Sequence, residues 1–441
     1  MGIASESMSE VSVFRKAVRY AGASIGPVGS AGVQFLLAFV LLHTLSRGAF
    51  GAFSFLLVAS QFSWGLWSAL FCAPLPILYN EQDGASRTRT LQALFSTNLL
   101  VSIAVAPIFG GAALLLGVPA VGAGLFAVYA ALALLRWFAR AHAYASGNPF
   151  RTMASDLVYA GTLGIATLLM FISGPDKSAG SATLILAYAA LLVSAAAGLL
   201  SFGKQFLKQQ FLGFAPRSIP HYAPIWKRYS GWSLLGVVTT EATANSHAYF
   251  VTALLGPTAF APIAASALLI RPISVASNAL TEFERAQMAR AIGGGQIEVA
   301  LGAARYFRHV LILTWLLVAA LVAGLLWLWP HSIFPKEYDL RFMIAAGAMW
   351  MLVAGVRLLR TPESALLQAA GEFRPLAWAS VASSGMSIVA VAVLLTNLGT
   401  LWSIAGILVG EIAYALWIWR QCRRWRIGRM AVAPRSLEVT A

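Results

Sequence analysis

The sequence predicts an all-helical integral membrane protein of about twelve transmembrane helices, arranged as two six-helix halves that repeat in parallel. Three observations predict it. The chain is 59% hydrophobic and only 11% charged, with mean hydropathy +0.75, whereas a soluble domain carries roughly 25% charged residues. Twelve stretches approach the ~20 apolar residues that a helix needs to cross a bilayer. Lys and Arg gather in alternate connecting segments, as they do in membrane proteins that keep positive charge on the cytoplasmic side. Length alone would allow about three soluble domains, but so few charges could not cover a water-facing surface.

The expected spans of the first half are Ser24–His43, Phe53–Cys72, Leu94–Leu116, Val121–Phe138, Met153–Ile172 and Ala182–Phe202. Those of the second half are Trp232–Leu255, Ala259–Leu280, Val310–Trp329, Phe342–Leu359, Leu376–Leu395 and Trp402–Trp419. Phe342–Leu359 is the weakest, being short and carrying Arg357. Strand-type alternation is absent, which argues against a β-barrel. The N-terminus has acids before its bases and no small-residue cleavage site, so it does not read as a signal peptide.

Charge placement sets the expected orientation. With the N-terminus inside, 26 of the 31 Lys and Arg lie in inward segments. Four (Arg47, Lys177, Lys336 and Arg341) lie in outward ones, and Arg271 lies inside a span. This asymmetry supports an even helix count, with both termini cytoplasmic. It also accounts for the net charge of +15 without nucleic acid as a partner. Cys72 and Cys422 fall at a cytoplasmic helix end and in a cytoplasmic tail, where a disulfide is not expected.

The expected domains are a first bundle (1–203), a Lys/Arg- and Pro-bearing linker (204–231), a second bundle (232–419) and a basic tail (420–441). Two short matches support a repeat. Leu45, Ala49 and Phe50 in LSRGAFGAF correspond to Leu255, Ala259 and Phe260 in LGPTAFAPI, 210 positions later. ASGNPFRTMA around Gly147 corresponds to AAGEFRPLA around Gly371. Six helices return the chain to its starting side, so the repeats would be parallel, about an axis along the membrane normal.

LSRGAFGAFSFLLVAS, IFPKEYDLRF and LLQAAGEFRPLA also resemble segments of polysaccharide flippases, within the multidrug/oligosaccharidyl-lipid/polysaccharide exporter superfamily. The resemblance implies two six-helix bundles around a central cavity that opens alternately to each side. It implies transport, not enzymatic catalysis, of an oligosaccharide carried on a polyprenyl pyrophosphate for surface or exopolysaccharide assembly. Membrane lipids and the polysaccharide polymerase machinery would be neighbours. Two alternatives stand beside it: a cation-coupled exporter of small amphipathic molecules, and a membrane enzyme of polysaccharide assembly.

Charge inside a span is costly and therefore informative. Arg271, Ser274, Asn278 and Thr281 share a face of the eighth span at three- and four-residue spacing, with Pro272 placed to bend the helix. Either this stripe faces a cavity, where Arg271 would bind phosphate, or Arg271 pairs with a buried acid such as Glu241. Gln61, 210 positions earlier, sits on a polar face with Ser54, Gly65 and Ser68. It is either a repeat-related cavity group or a helix–helix contact. In the seventh span, Glu241 and Asn245 share a face, and His247 lies nearby. Glu241 is a candidate for ion coupling or for pairing, and His247 for a structural hydrogen bond. Glu411 in the last span reads equally as a packing group or a functional one. Asp156 is expected to meet Arg151 or Arg140. The Arg- and Trp-rich tail WIWRQCRRWRIGRM suits the membrane interface.

No phosphate-binding Gly-rich loop and no zinc-type His/Cys cluster occurs in the sequence, so no cofactor and no metal are expected. Cysteines introduced in the short outward loops should label from outside, and those in the tail after Arg420 only from inside. Outside labelling of the tail would reverse the assigned orientation.

Overall fold

A computed structural model describes residues 26, 28–75, 84–173 and 180–432, leaving aside the side chains of 85, 228, 229, 232, 279, 282 and 429–432. The start of the first expected span, the N-terminal bases Arg15, Lys16 and Arg19, Lys177 and the last nine residues lie outside the described residues. Every long element is a helix. In chain order they are α1 (Val28–Thr44), α2 (Arg47–Cys72), α3 (Gly84–Leu115), α4 (Ala120–Ala145), α5 (Pro149–Ile172) and α6 (Gly180–Leu200). There follow α7 (Gly231–Leu255), α8 (Pro257–Gly293), α9 (Ile297–Leu328), α10 (Leu340–Ala369), α11 (Phe373–Leu398) and α12 (Trp402–Val432). Each of the twelve expected spans overlaps one of these twelve helices; the third, sixth and ninth run one or two residues past the helix end, and the start of the first lies outside the described residues. The protein is a multi-pass membrane protein.

Ten of the helices are long and apolar enough to cross a bilayer by their composition alone. The described part of α1 is shorter, and α7 carries Thr239, Thr240, Glu241, Thr243, Asn245, Ser246 and His247 in one stretch. Several helices outrun the expected spans: α8 by more than ten residues, α10 by ten, and α12 through the basic run that read as a tail. Hydropathy marks only where apolar residues stop; backbone hydrogen bonding continues into polar turns beyond the hydrocarbon.

The chain forms two compact units. The first holds residues 1–238, 248–268 and 334–343; the second holds 239–247, 269–333 and 344–441. In the first unit, α4 packs between α3 and α6, and α5 packs on α6. Its core is aromatic: Phe126, Tyr129 and Tyr188 are fully buried, and a second cluster gathers Trp67, Phe71, Phe95, Phe138, Phe202 and Phe206. The expected linker does not read out as a loop. It folds into short helical turns (Lys204–Leu207, Pro216–His221, Tyr222–Ile225) that dock on α2 and α3. Gln210 is fully buried. It donates to the Phe95 carbonyl at 3.2 Å and accepts from Asn98 Nδ2 at 3.3 Å, while Asn98 Oδ1 takes Trp67 Nε1 at 2.7 Å. The Tyr222 and Ser230 hydroxyls both donate to the Leu70 carbonyl, at 2.8 and 2.9 Å. Burial pushes the Tyr222 phenol up to about 12, so it stays a neutral donor. A π-turn at Ser68–Cys72 leaves the Leu70 carbonyl open to both.

In the second unit, α11 and α12 pack along much of their length. Gly406 and Gly410, spaced as a small-xxx-small pair, let the backbones approach. A Cβ at Gly406 would meet the Val391 backbone at 2.5 Å, and one at Gly410 would meet Ser387 Cβ at 2.6 Å. The same serine stripe of α11 also joins α7 through hydroxyls: Thr239 with Ser380 at 2.9 Å, Thr243 with Ser383 at 3.3 Å, and Ser387 donating to the Thr243 carbonyl at 3.1 Å. Polar residues of α7 are thus spent on a neighbouring helix, which lets so weakly apolar a segment sit among spans.

The repeat is visible in the helix starts. α2 begins at Arg47, capped by Ser46, whose Oγ accepts from the Ala49 amide; α8 begins 210 residues on at Pro257, after Gly256 at φ 81°. Gly147 and Gly371 turn the chain at φ 79° and 78°, and α5 and α11 each start two residues later.

Gly51 on α2 is the tightest approach in the first unit. A Cβ there would lie 1.8 Å from the Pro257 carbonyl oxygen. That backbone cannot yield without moving the helix, so Gly51→Ala should lower stability by about 2 kcal/mol or more. Thermal unfolding of purified protein reads this directly. Gly161→Ala, with open space around it, should leave the midpoint unchanged.

Candidate functional site

The site is built on α8 and α10 in the second unit. α8 is interrupted by a 3-10 turn at Leu268–Ile270 and resumes at Arg271 with Pro272 in the first turn. Proline lacks an amide hydrogen, and the first turn of a helix is where that loss is tolerated. The break re-aims the second half of α8, which then presents Ser274, Ser277, Asn278 and Thr281 to a pocket of about 260 Å³. The opposite wall is α10, with Arg357, Arg360, Thr361, Ser364 and Gln368.

The charge at this wall is organised by one acid. Glu411 on α12 is buried, and its Oε1 accepts from Arg357 Nε at 2.9 Å and Nη2 at 2.7 Å. Its Oε2 accepts from Arg360 Nε at 2.8 Å. The Arg360 guanidinium also lies 4.3 Å from the Tyr414 ring centroid. The Arg357 side chain is 36% exposed and that of Arg360 17%, against 2% for Glu411. Two guanidiniums therefore share the Glu411 carboxylate beside a polar pocket, and the Glu241 carboxylate also lies close enough to interact with Arg357.

Of the residues singled out in the sequence, Ser274 and Asn278 line this pocket, as does Thr281. Arg271 does not line it. It is half-buried and makes no hydrogen bond or ion pair among the described residues; in particular, none joins it to Glu241. Glu241 Oε1 instead accepts from Asn245 Nδ2 at 2.6 Å. His247 is buried with its ring edge-on to Trp350, centroids 5.2 Å apart. Gln61, in the first unit, is half-buried and, like Arg271, has no hydrogen-bond partner among the described residues.

Sequence reasoning gave Arg357 and Arg360 no site role: both counted among the inward cations, Arg357 near the end of the short tenth span and Arg360 just past its expected end at Leu359. A signal was available. Arg360 lies 224 residues after Arg136, and Gly371 lies 224 after Gly147. Arg136 has its own acid in the first unit. Asp156 takes Arg136 Nη2 at 2.5 Å and Arg140 Nη2 at 3.0 Å. Arg136 also donates to Ser155 Oγ at 3.0 Å and stacks 4.4 Å from the Tyr159 ring centroid. The expected Arg140 pairing is present, while Arg151 reaches the Phe202 carbonyl instead. Cys72 and Cys422 are free thiols, and no cluster suited to a metal occurs among the described residues.

Comparison with solved structures places this architecture. One described as the inward-facing conformation of a multidrug resistance MATE family transporter of the MOP superfamily has a TM-score of 0.67 at 14% identity, covering 92% of this chain and 96% of that one. The outward-facing conformation of a multidrug resistance MATE family transporter scores 0.58 at 14%, over 94% and 96%. A MOP superfamily transporter from Pyrococcus furiosus Vc1, described as having a binding pocket of reverse polarity that suggests a different function, scores 0.58 at 16%, over 93% and 96%. No protein-family profile and no curated protein matches the sequence. The chain has the fold of these transporters, with twelve helices in two bundles.

Removing Glu411 would strand two guanidiniums. Glu411→Ala should destabilise the protein by about 3 kcal/mol, seen as a lower unfolding midpoint. Arg357→Ala, which leaves Glu411 held by Arg360, should cost less than half of that.

Proposed function

We propose that the protein is an alternating-access transporter that flips a polyprenyl-pyrophosphate-linked oligosaccharide across a bacterial cytoplasmic membrane. The observation that carries this reading is the sign of the charge on the α8–α10 pocket. The lining of this pocket holds two cations, Arg357 and Arg360, and no carboxylate; the acids that interact with them, Glu411 and Glu241, are not among the lining residues, and Arg271 stands three residues before Ser274, outside that lining. Such a pocket repels a cationic cargo and attracts an anionic one. Guanidinium offers planar paired donors that fit phosphate oxygens. The hydroxyls and amides of Ser274, Ser277, Asn278 and Gln368 suit hydrated and sugar-bearing groups. The pyrophosphate-linked sugar itself comes from the loop resemblance, and alternation from fold neighbours described in inward- and outward-facing conformations.

A second reading, a cation-coupled exporter of small amphipathic molecules, draws on Glu241. This carboxylate makes no ion pair among the described residues and is held by Asn245, as a group that takes up a proton or sodium ion would be. Coupling of this kind is compatible with the flippase reading; a cationic cargo is not.

The deciding experiment is flipping of a labelled polyprenyl-pyrophosphate oligosaccharide in proteoliposomes. The expected result is transport by wild type, loss of at least tenfold in Arg271→Ala with normal membrane yield, and partial activity in Arg271→Lys. If Arg271→Ala fails to insert and Glu241→Ala rescues it, Arg271 is a structural partner. Export of organic cations without movement of the sugar lipid would overturn the reading.

A further inference from the structure

A second basic groove lies in the same unit, away from the pocket just described. It is bounded by α9, α10 and α12 and has a volume of about 490 Å³. Its charged lining is Arg308, Glu363, Arg423 and Arg426, and Trp419 and Leu359 form its apolar edge. Arg308 pairs with Glu363 Oε1. Arg423 and Arg426 are exposed and pair with no carboxylate among the described residues. The groove thus keeps a formal charge of +2.

Its level in the membrane follows from the sequence. Arg308 comes just before the apolar run of α9, Leu359 and Glu363 just after that of α10, and Trp419 and Arg423 at and beyond the end of that of α12. On all three helices the groove sits where hydrocarbon gives way to headgroups, on the side of the basic segments. Trp and Arg at that depth favour the interface, and basic pockets between spans hold anionic headgroups. Glu363 is buried and pairs with Arg308, so it takes up one of the groove's three cations and leaves Arg423 and Arg426 in want of an anion.

We infer that this groove is a binding site for an anionic phospholipid of the phosphatidylglycerol type. The phosphate meets Arg423 and Arg426, and an acyl chain runs along Trp419 and Leu359.

The test uses the full chain in phosphatidylcholine nanodiscs containing a minority of phosphatidylglycerol, with retained lipid read by native mass spectrometry. Wild type should retain phosphatidylglycerol over phosphatidylcholine. Arg423→Ala with Arg426→Ala should lower that retention by roughly tenfold or more, and the corresponding double Lys variant should keep most of it. Arg420→Ala with Arg424→Ala removes the same charge from the neighbouring face of α12 and should change little. Equal loss in both Ala doubles would reduce the effect to diffuse surface charge and overturn the site. Displacement of the lipid by millimolar glycerol phosphate would show a site for soluble phosphate and equally overturn it, as would the absence of any lipid preference.

Discussion

Burying a guanidinium in a span requires a counter-charge, and this protein meets the requirement twice in the same way, with two arginines on one helix and one acid on another. Removing a charge from water costs several kcal/mol even after relaxation, so each clamp obliges its helices to stay together. In the first unit α4 supplies Arg136 and Arg140, and α5 supplies Asp156. In the second, α10 supplies Arg357 and Arg360, and α12 supplies Glu411. Arg136 and Arg360 each stand eleven residues before the glycine that turns the chain, Gly147 and Gly371. Arg136 and Arg360 thus share a register in the repeat, whereas the second arginine (Arg140, Arg357) and the acid, on the fifth helix of one half and the sixth of the other, do not.

They differ in how much of the surplus charge is absorbed. Arg136 is wrapped: Ser155 accepts from it, the Tyr159 ring covers it, and Gly198 gives it room, since a Cβ there would lie 2.7 Å from Arg136 Nε. Tyr159 is itself fixed by Gln34 at 2.9 Å. Among the described residues no ring covers Arg357, whose side chain is a third exposed beside a pocket lined by hydroxyls and amides. The first clamp is closed by its neighbours, and the second borders a cavity.

The fold was legible because a membrane span writes itself into composition: all twelve helices could be counted from apolar runs, and the face of α8 bearing Ser274, Asn278 and Thr281 could be read from three- and four-residue spacing. Helix ends were not legible, because the hydrogen-bond ladder of α8, α10 and α12 continues through polar turns that hydropathy treats as loop. Nor was the role of Glu411, whose partners lie 54 and 51 residues away on a helix thought to have ended. The docking of 204–231 was equally hidden. Its decisive contact, Gln210 against Asn98 and Phe95, joins residues more than 100 apart, and no local pattern announces it. Arg271 shows the opposite failing: three- and four-residue spacing put it on one face with Ser274, Asn278 and Thr281, but the pocket is lined by those three and not by Arg271, which stands at the helix start just after the turn at Leu268–Ile270.

The shared carboxylate also bears on how an anionic cargo could be let go. Two bare guanidiniums beside a pocket would hold a pyrophosphate through charge-assisted bidentate bonds, among the strongest that side chains make, and tight binding alone does not produce transport. A site that conducts must bind well enough to admit its cargo and weakly enough to release it. On the proposed function, Glu411 would meet both demands with a single group. It holds Arg357 and Arg360 in position, so little order would have to be imposed on binding. It would also compete for the same donors in a filled pocket, which would lower the cost of departure. Because the acid sits on α12 and the arginines on α10, a movement of one helix against the other would change which partner the guanidiniums prefer. Differential affinity of this kind is what a ligand needs in order to shift a conformational equilibrium.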